Sequence, residues 1–174
     1  MNILIVYPKF TETFWSFNNA FKLISKKPTF PPKEILLVSV MLPITWERKQ
    51  IDLNNEKLNR RDIVWADYIF ISAKEKQYKS TIKIIEKCNS IGKKVIASGS
   101  LFSEYYEEFE NVEHLVLDDL RVTLPLFIND LENKKSKKVY HSNPFFEIRK
   151  YTEPYYFITN FSDTISQNIQ LSYA

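Results

Sequence analysis

The sequence predicts an α/β fold, a doubly wound parallel sheet with helices on both faces. Short, continuous runs of β-branched and other apolar residues recur along the chain, and such runs are typical of strands that are covered on both faces. Stretches with helical spacing of apolar residues lie between them, and this alternation is typical of βα units. The 174 residues are 44% hydrophobic and 26% charged, which favours a globular domain over a disordered or fibrous chain.

The N-terminal region predicts a strand followed by a helix. Ile3–Val6 is the first apolar run, and Pro8 ends it. Aromatic and aliphatic residues then recur with helical spacing, which predicts a helix from about Thr13 to Ser25. The segment Lys26–Pro32 contains three prolines, so it is predicted to be a loop.

The next apolar run, Ile35–Val38, is compatible with a strand or a helix by composition. The flanking prolines favour the helix, because Pro32 suits a helix start and Pro43 a helix stop. We therefore expect a helix to about Leu42, followed by a short strand near Arg48–Leu53.

The second half of the chain repeats the alternation of strand and helix more clearly. One amphipathic stretch ends at Gly92, a favourable residue directly after a helix. Another predicted helix begins near Thr123. Three apolar runs predict strands, at Tyr68–Ile71, Lys94–Ala97 and His114–Leu117.

The C-terminal part predicts a domain boundary near residue 140. The basic stretch Asn133–Lys138 is expected to be a solvated surface turn at the edge of a domain spanning residues 1–140. Residues 141–174 are rich in aromatic side chains without a clear period. Two interpretations remain open: a tail that wraps back onto the domain, or a linker that packs against something outside it.

Composition excludes several classes of protein. The single cysteine, Cys88, excludes a disulfide framework, a cysteine-based zinc site and an iron–sulfur cluster held by this chain alone. Two glycines, Gly92 and Gly99, are too few for a glycine-rich phosphate loop. A net charge of +3 on 20.7 kDa is too small to indicate nucleic-acid binding. The apolar runs are too short for a signal peptide or membrane span, which favours a cytoplasmic protein.

Catalytic groups are also scarce. The two histidines, His114 and His141, are far apart in the sequence. We expect His114 to be a packing residue inside a strand and Cys88 to belong to the core. Since no nucleophile, base and acid can be assembled, this chain by itself is not expected to be a catalyst.

A ligand site is expected where the predicted strands end. In open parallel sheets, ligands bind beyond the carboxyl ends of the strands, near the point where the strand order reverses. The triplet Ser98–Ser100 is small, so it would let a ligand approach the backbone and hydrogen-bond to it. An ordinary tight turn is the alternative interpretation. Asp118 and Asp119 follow another strand and are expected to begin a loop or cap the next helix.

Several short motifs together resemble a known family. The chain is similar, over about residues 1–145, to the N-terminal B12-binding-type domain of cobalamin-dependent radical SAM proteins, in particular the subgroup with hopanoid-methylase-like enzymes. The matching segments are Asn2–Phe10, Glu12–Phe17, Phe30–Pro32, Met41–Pro43, Asp52–Asn54, Val64–Tyr68, Gly92–Gly99 and Val122–Pro125.

The resemblance implies a Rossmann-like module that holds cobalamin against a following radical SAM domain. In that family the radical SAM domain, a barrel, binds the iron–sulfur cluster through a motif of three cysteines. Residues 169–174 resemble the run just before that motif. The catalytic half would therefore lie outside this chain, and no iron–sulfur cluster would be bound within it. The expected cofactor-facing rim consists of Tyr7, Pro8, Ser72, Ala73, Ser98, Gly99, Ser100 and Asp118. A tryptophan at Gly99 is expected to block the cofactor and to spare the fold.

A second hypothesis is a cofactor-free Rossmann-like module that acts in protein–protein interaction. Lys33–Glu34 stands where the family has small residues, and Asp118–Asp119 where it has a Gly-Glu turn. Side chains at such places would obstruct a cofactor. The partners expected under the two hypotheses are a radical SAM domain, another protein chain, or a second copy of this one.

Overall fold

The computed structural model describes residues 1–11 and 32–142. Within them, six parallel strands form one sheet in the order β2-β1-β3-β4-β5-β6. This arrangement is α/β and Rossmann-like, so the predicted fold class is confirmed. The strands are β1 Asn2–Tyr7, β2 Glu47–Asp52, β3 Tyr68–Ser72, β4 Lys94–Ser98, β5 His114–Val116 and β6 Val139–Tyr140.

Helices connect these strands in the described part of the chain. The prolines did indicate a helix rather than a strand after residue 32, and β2 lies one residue earlier than predicted. The predicted helix Thr13–Ser25 and the aromatic segment after residue 142 lie outside the described residues. The helices are α1 Lys33–Met41, α2 Arg60–Trp65, α3 Tyr78–Asn89, α4 Ser100–Tyr105 and α5 Leu120–Glu132.

Two apolar layers cover the two faces of the sheet. Alternate residues of β1 point to opposite sides, so Leu4 packs with Ile63 of α2 and Ile84 of α3 in one cluster. Ile5 packs in the other cluster, which also contains Ile35 of α1. Helices therefore lie on both faces, as the continuous apolar runs predicted. Cys88 is fully buried in the first cluster, which confirms its place in the core.

The start of α5 differs from the prediction. The helix begins at Leu120 rather than near Thr123, because Asp119 caps it: one carboxylate oxygen accepts a hydrogen bond from the Arg121 amide at 3.0 Å. Pro125 then lies inside the helix. The capping role expected for the aspartate pair is confirmed for Asp119.

The basic stretch lies between α5 and β6, and β6 pairs with β5. The sheet therefore continues past the stretch to Tyr140, and the domain boundary near that residue stays a prediction. Within residues 1–11 and 32–142, no helix has the length and apolar character needed to cross a membrane.

Candidate functional site

All the predicted rim positions lie at the end of the sheet where its parallel strands finish, here called the carboxyl end; the opposite end is the amino end. β1 has β2 on one side and β3 on the other. The strand order therefore reverses between β1 and β3, which is where a ligand crevice is expected in such sheets. Three of the positions are the last residues of β1, β3 and β4, namely Tyr7, Ser72 and Ser98. The other five follow a strand: Pro8, Ala73, Gly99, Ser100 and Asp118.

Ser98 has an unusual environment at the end of β4. Its side chain is fully buried, and its Oγ has no hydrogen-bond partner within the described residues. Its carbonyl is occupied, since it accepts from the Ala73 amide at 2.9 Å. A buried hydroxyl without a partner loses its hydrogen bonds to water and gains none. This atom is thus a polar group in need of a partner.

Gly99 is required by the packing of the chain itself. Its φ of +101° lies in a region that side chains disfavour, and a Cβ there would stand 2.3 Å from the Ala73 carbonyl oxygen. The Leu101 amide donates to that same oxygen at 3.2 Å as α4 begins. The turn therefore matches the tight-turn interpretation. The expectation that a tryptophan at Gly99 would spare the fold is wrong, because any side chain meets the backbone after β3.

Gln77 joins the two loops at the reversal of strand order. Its side chain is fully buried. Its Nε2 donates to the Pro8 carbonyl, and its Oε1 accepts from the Lys74 amide at 2.8 Å. The Gln77 amide therefore links the segments after β1 and β3 across the crevice, and Thr11 adds to this link through its amide and hydroxyl, which both donate to the Lys76 carbonyl. Gln77 could not be identified from the sequence, because a single glutamine before a helix carries no pattern that distinguishes it.

Charged groups surround the same crevice. Lys74 Nζ lies 3.0 Å from Glu34 Oε1, so Glu34 forms an ion pair at the rim. Burial, with the Glu34 and Asp52 carboxylates adding to it, raises the pKa of the Tyr7 hydroxyl well above its ordinary value. Tyr7 therefore stays neutral and can donate a hydrogen bond at physiological pH.

Asp118 organises the carboxyl end near β5 and β6. It has a φ of +61°, and its amide donates to Ser103 Oγ of α4 at 3.1 Å. Its Oδ2 accepts from the Ser142 amide at 3.0 Å and lies 3.4 Å from His141 Nδ1. The carboxylate thus ties the chain after β6 to the end of β5.

The two histidines differ sharply in environment. His114 is buried, its Nδ1 is 2.7 Å from the Lys137 carbonyl, and burial lowers its pKa. Its prediction as a packing residue is confirmed. The His141 side chain is 51% exposed beside Asp118, with the Tyr106 ring edge-on at 5.6 Å.

Acidic groups of another kind lie close to α4. Hydrogen bonding to Glu75 and repulsion from its carboxylate raise the pKa of Glu104.

Within the described parts of the chain, no three histidine, cysteine or carboxylate side chains are grouped so that they could hold a metal ion. The Asp118 carboxylate and the His141 imidazole are therefore a pair without a third member.

Comparison with known proteins finds two methylases. The chain is 28% identical over 174 residues to an uncharacterized methyltransferase from Synechocystis, covering 99% of this chain and 32% of that protein. It is 23% identical over 175 residues to the hopanoid C-2 methylase from Rhodopseudomonas palustris, covering 98% of this chain and 33% of that protein. The chain thus spans about a third of the length of each. No protein-family model and no solved structure matches it.

Proposed function

We propose that this chain is a cobalamin-binding-type domain of a radical SAM, methyltransferase-like protein, and that it carries no catalytic machinery of its own. The observation that carries the proposal is the buried, unpartnered Ser98 Oγ at the carboxyl end of β4. The similarity to two proteins named as methylases, over one third of their length, supports it. The remaining two thirds would contain the radical SAM domain.

The donor groups at the carboxyl end fit this cofactor. Ser98 Oγ can donate a hydrogen bond to a ligand oxygen or nitrogen, and cobalamin presents amide, hydroxyl and phosphate groups. Tyr7, whose hydroxyl is neutral, is the last residue of β1, which β3 separates from β4. Neither group brings a full charge to the ligand, which suits a cofactor whose periphery is mostly amide.

In this proposal the residues of the chain bind and shield rather than react. Ser98 and Tyr7 would orient the cofactor, and the backbone that follows β3 and β4 would exclude water from one side of it. When bound, cobalamin supplies a cobalt that can carry a methyl group. The methyl acceptor and the radical chemistry would belong to the partner domain.

A second candidate function is a cofactor-free module that binds another protein chain. Gln77 and the Lys74–Glu34 ion pair favour it, because both occupy the crevice between β1 and β3 with contacts inside the chain. In this alternative, the carboxyl end would be a closed surface and not a cofactor site.

Titration with hydroxocobalamin followed by gel filtration separates the two functions. We expect corrinoid to co-elute with the chain at near one-to-one stoichiometry. Ser98→Ala is expected to weaken retention about tenfold, the effect of losing one hydrogen bond of about 1.4 kcal/mol. Ser90→Ala is the matched control, because Ser90 Oγ donates to the Lys87 carbonyl at the amino end, and its retention should equal that of the wild type.

Two outcomes would contradict the proposal. The chain is mixed with corrinoid at about tens of micromolar, a concentration at which even a weak complex forms. A chain that is colourless after filtration would contradict the cobalamin function. If that chain also eluted as a stable dimer, the second candidate would take its place. Equal retention by Ser98→Ala and Ser90→Ala would show that the site lies elsewhere in the chain.

A further inference from the structure

We propose that residues 143–151, the first part of the aromatic segment after β6, dock on an exposed surface of tyrosines and carboxylates beside α4. This docking is independent of any bound cofactor, and so it goes beyond the proposed function. Of the two interpretations of the aromatic segment, it favours the tail that wraps back onto the domain. The surface, here called the tyrosine surface, consists of Tyr78, Tyr105 and Tyr106 with Glu75, Glu104, Glu107 and Glu108.

Three large aromatic side chains are exposed together on this surface. Tyr78, Tyr105 and Tyr106 are 40%, 39% and 38% exposed. The Tyr78 ring packs edge-on against buried Phe109 at 6.3 Å, and its hydroxyl donates to Glu108 Oε2 at 3.4 Å. The start of α3 and the turn after α4 therefore form one continuous surface. Single exposed apolar residues are ordinary, whereas a contiguous group of aromatic side chains is typical of an interaction site.

Carboxylates border the exposed rings. Glu104, Glu107 and Glu108 flank the two neighbouring tyrosines in the sequence, and all three are exposed. The Glu104, Glu75 and Glu108 carboxylates raise the pKa of the Tyr105 hydroxyl, because they disfavour a further negative charge beside them. The tyrosine surface is therefore electronegative, and it suits a segment that combines aromatic with basic side chains.

The chain leaves β6 directly beside this surface. The His141 ring packs edge-on against the Tyr106 ring at 5.6 Å. The Ser142 amide donates to Asp118 Oδ2 at 3.0 Å, and the Asp118 amide donates to Ser103 Oγ of α4 at 3.1 Å. These contacts hold the end of the described chain against α4, so the segment that follows begins next to the tyrosine surface.

The sequence of the segment has the complementary chemistry. Arg149 and Lys150 are the only basic residues between positions 143 and 174. Eight residues of extended chain reach roughly 25 Å, so both cations can reach the carboxylates from the last described residue. Cationic side chains pair with carboxylates and also pack on tyrosine rings. Three aromatic residues lie in the same short stretch: Phe145, Phe146 and Tyr151.

A second copy of the chain is the less favoured occupant. A segment joined to the surface by a short linker has an effective concentration on the order of millimolar. A second copy at about tens of micromolar would compete with it at a hundredfold disadvantage in concentration, by order of magnitude. Docking within one chain is therefore the expected arrangement.

Photo-crosslinking in the full chain tests the inference. A benzophenone amino acid, p-benzoylphenylalanine, replaces Tyr105, whose exposed ring makes the change compatible with folding. After irradiation, digestion and mass spectrometry, we expect cross-links to residues 143–151 of the same chain. Leu126 is the matched control position, because it is 53% exposed on α5, which packs on the other face of the sheet. The probe at that position should give no cross-link to these residues.

Charge reversal tests the complementarity between segment and surface. Arg149→Glu together with Lys150→Glu should lower the cross-link yield from position 105 about fivefold, because two exposed ion pairs are lost. Adding Glu104→Lys and Glu107→Lys should restore the yield, since the pairs then form with the opposite polarity. A purely local effect of either pair of substitutions would not produce this rescue.

A control with the same change of charge accompanies these variants. Lys135→Glu together with Lys137→Glu reverses two exposed cations of the basic stretch before β6. The cross-link yield in this variant should equal that of the unreversed chain. An equal fall in yield from both double reversals would overturn the inference, because net charge alone would then explain it.

The other possible results also bear on the docking. Cross-links between two chains, detected as a product of twice the mass, would assign the tyrosine surface to a second copy and overturn the proposed occupant. Cross-links only to residues outside 143–151, or none at all, would overturn it as well. Tyr78 is a second probe position at which the same outcomes apply. None of these results depends on retained corrinoid, so the proposed function is tested separately by its own titration.

Discussion

At the amino end of the sheet, Lys93 Nζ donates to the Val64 and Ala66 carbonyls at 2.8 and 2.6 Å, and the Asn2 amide donates to Asp67 Oδ2 at 2.7 Å. At the carboxyl end, Ser98 Oγ has no partner within the described residues. These polar groups at the amino end are thus hydrogen-bonded within the chain, whereas one described hydroxyl at the carboxyl end has no hydrogen-bond partner.

Close backbone contacts show the same contrast. At the carboxyl end, Gly99 and Asp118 both have positive φ angles, and Gly99 is pressed against the backbone after β3. At the amino end, Gly92 and Lys134 also have positive φ angles, but Gly92 lies in open space. Positive φ angles thus occur at both ends, and what distinguishes the carboxyl end is the close contact at Gly99 together with the unpartnered hydroxyl of Ser98.

The largest expected effect comes from Gly99→Ala, which tests the crowding at the carboxyl end. A Cβ would lie 2.3 Å from the Ala73 oxygen, so we expect a loss of about 3–5 kcal/mol in unfolding free energy or failure to fold. Gly92→Ala is the matched control, since it meets nothing within 4 Å and should cost only about 1 kcal/mol. Urea denaturation measures both, and equal costs would show that the close contact is not what matters.

Lys93→Met tests the matched contacts at the amino end. It removes the donor to both the Val64 and Ala66 carbonyls, and we expect a loss of about 1–2 kcal/mol. The neighbouring Lys94→Met carries the same change of charge but breaks an exposed ion pair with Glu113 and a contact between its ammonium and the Tyr68 ring, 5.8 Å from the ring centre, together worth under about 1 kcal/mol. Denaturant midpoints of the two variants give the comparison. A larger loss from Lys94→Met would contradict this account of the amino end.

His114 should make the amino end sensitive to acid. Burial lowers its pKa in the folded chain; the Lys94 and Lys138 ammonium groups add to this, and the Lys137 carbonyl and Glu113 oppose it. The unfolded chain therefore takes up the proton first, and stability falls as the pH drops below the ordinary value of 6.5.

The variant His114→Gln tests this pH dependence. Thermal denaturation between about pH 7 and 5, the window around the ordinary histidine pKa, should show a shallower decline than in the wild type. An identical slope in the two proteins would mean that another group takes up the proton.

The smallest expected effect concerns the acidic side chains near α4. The pKa of Glu104 is raised in the folded chain, so the protonated carboxyl stabilises the folded state. This stabilisation is lost as the pH rises through the raised pKa. Glu104→Gln cannot ionise, and we expect its melting temperature to exceed that of the wild type slightly at neutral pH, with the difference vanishing below the ordinary value of 4.5. Glu56→Gln, at another exposed glutamate, is the control for the loss of one negative charge.

The central strands could be predicted from the sequence because each is a continuous apolar run buried on both faces. α1 could be predicted because prolines flank it. α2, α4 and β6 were missed for a physical reason: they have six, six and two residues, too few for a periodic pattern to emerge. Such short elements are fixed by tertiary packing rather than by their own sequence.

The candidate site divides in the same way. Strand ends can be located from the sequence, so the rim positions do lie together at the carboxyl end of the sheet, while their role in binding a cofactor stays a prediction. The contacts that define its chemistry join residues far apart in the chain, such as Gln77 and Pro8, which are 69 positions apart. The clash that makes Gly99 obligatory depends on a backbone from another strand. No local pattern carries that information.

The place of β1 in the sheet bears on how the chain folds during synthesis. Of the six described strands, β1 is the first to be synthesised, yet it pairs on both sides with later strands, and its Asn2 amide donates to a residue 65 positions away. Until β3 is made, this apolar segment has an unpaired side. Long-range parallel pairing folds slowly and leaves such segments exposed to aggregation. We therefore expect the nascent chain to depend on chaperones until about residue 72, the end of β3, has cleared the exit tunnel.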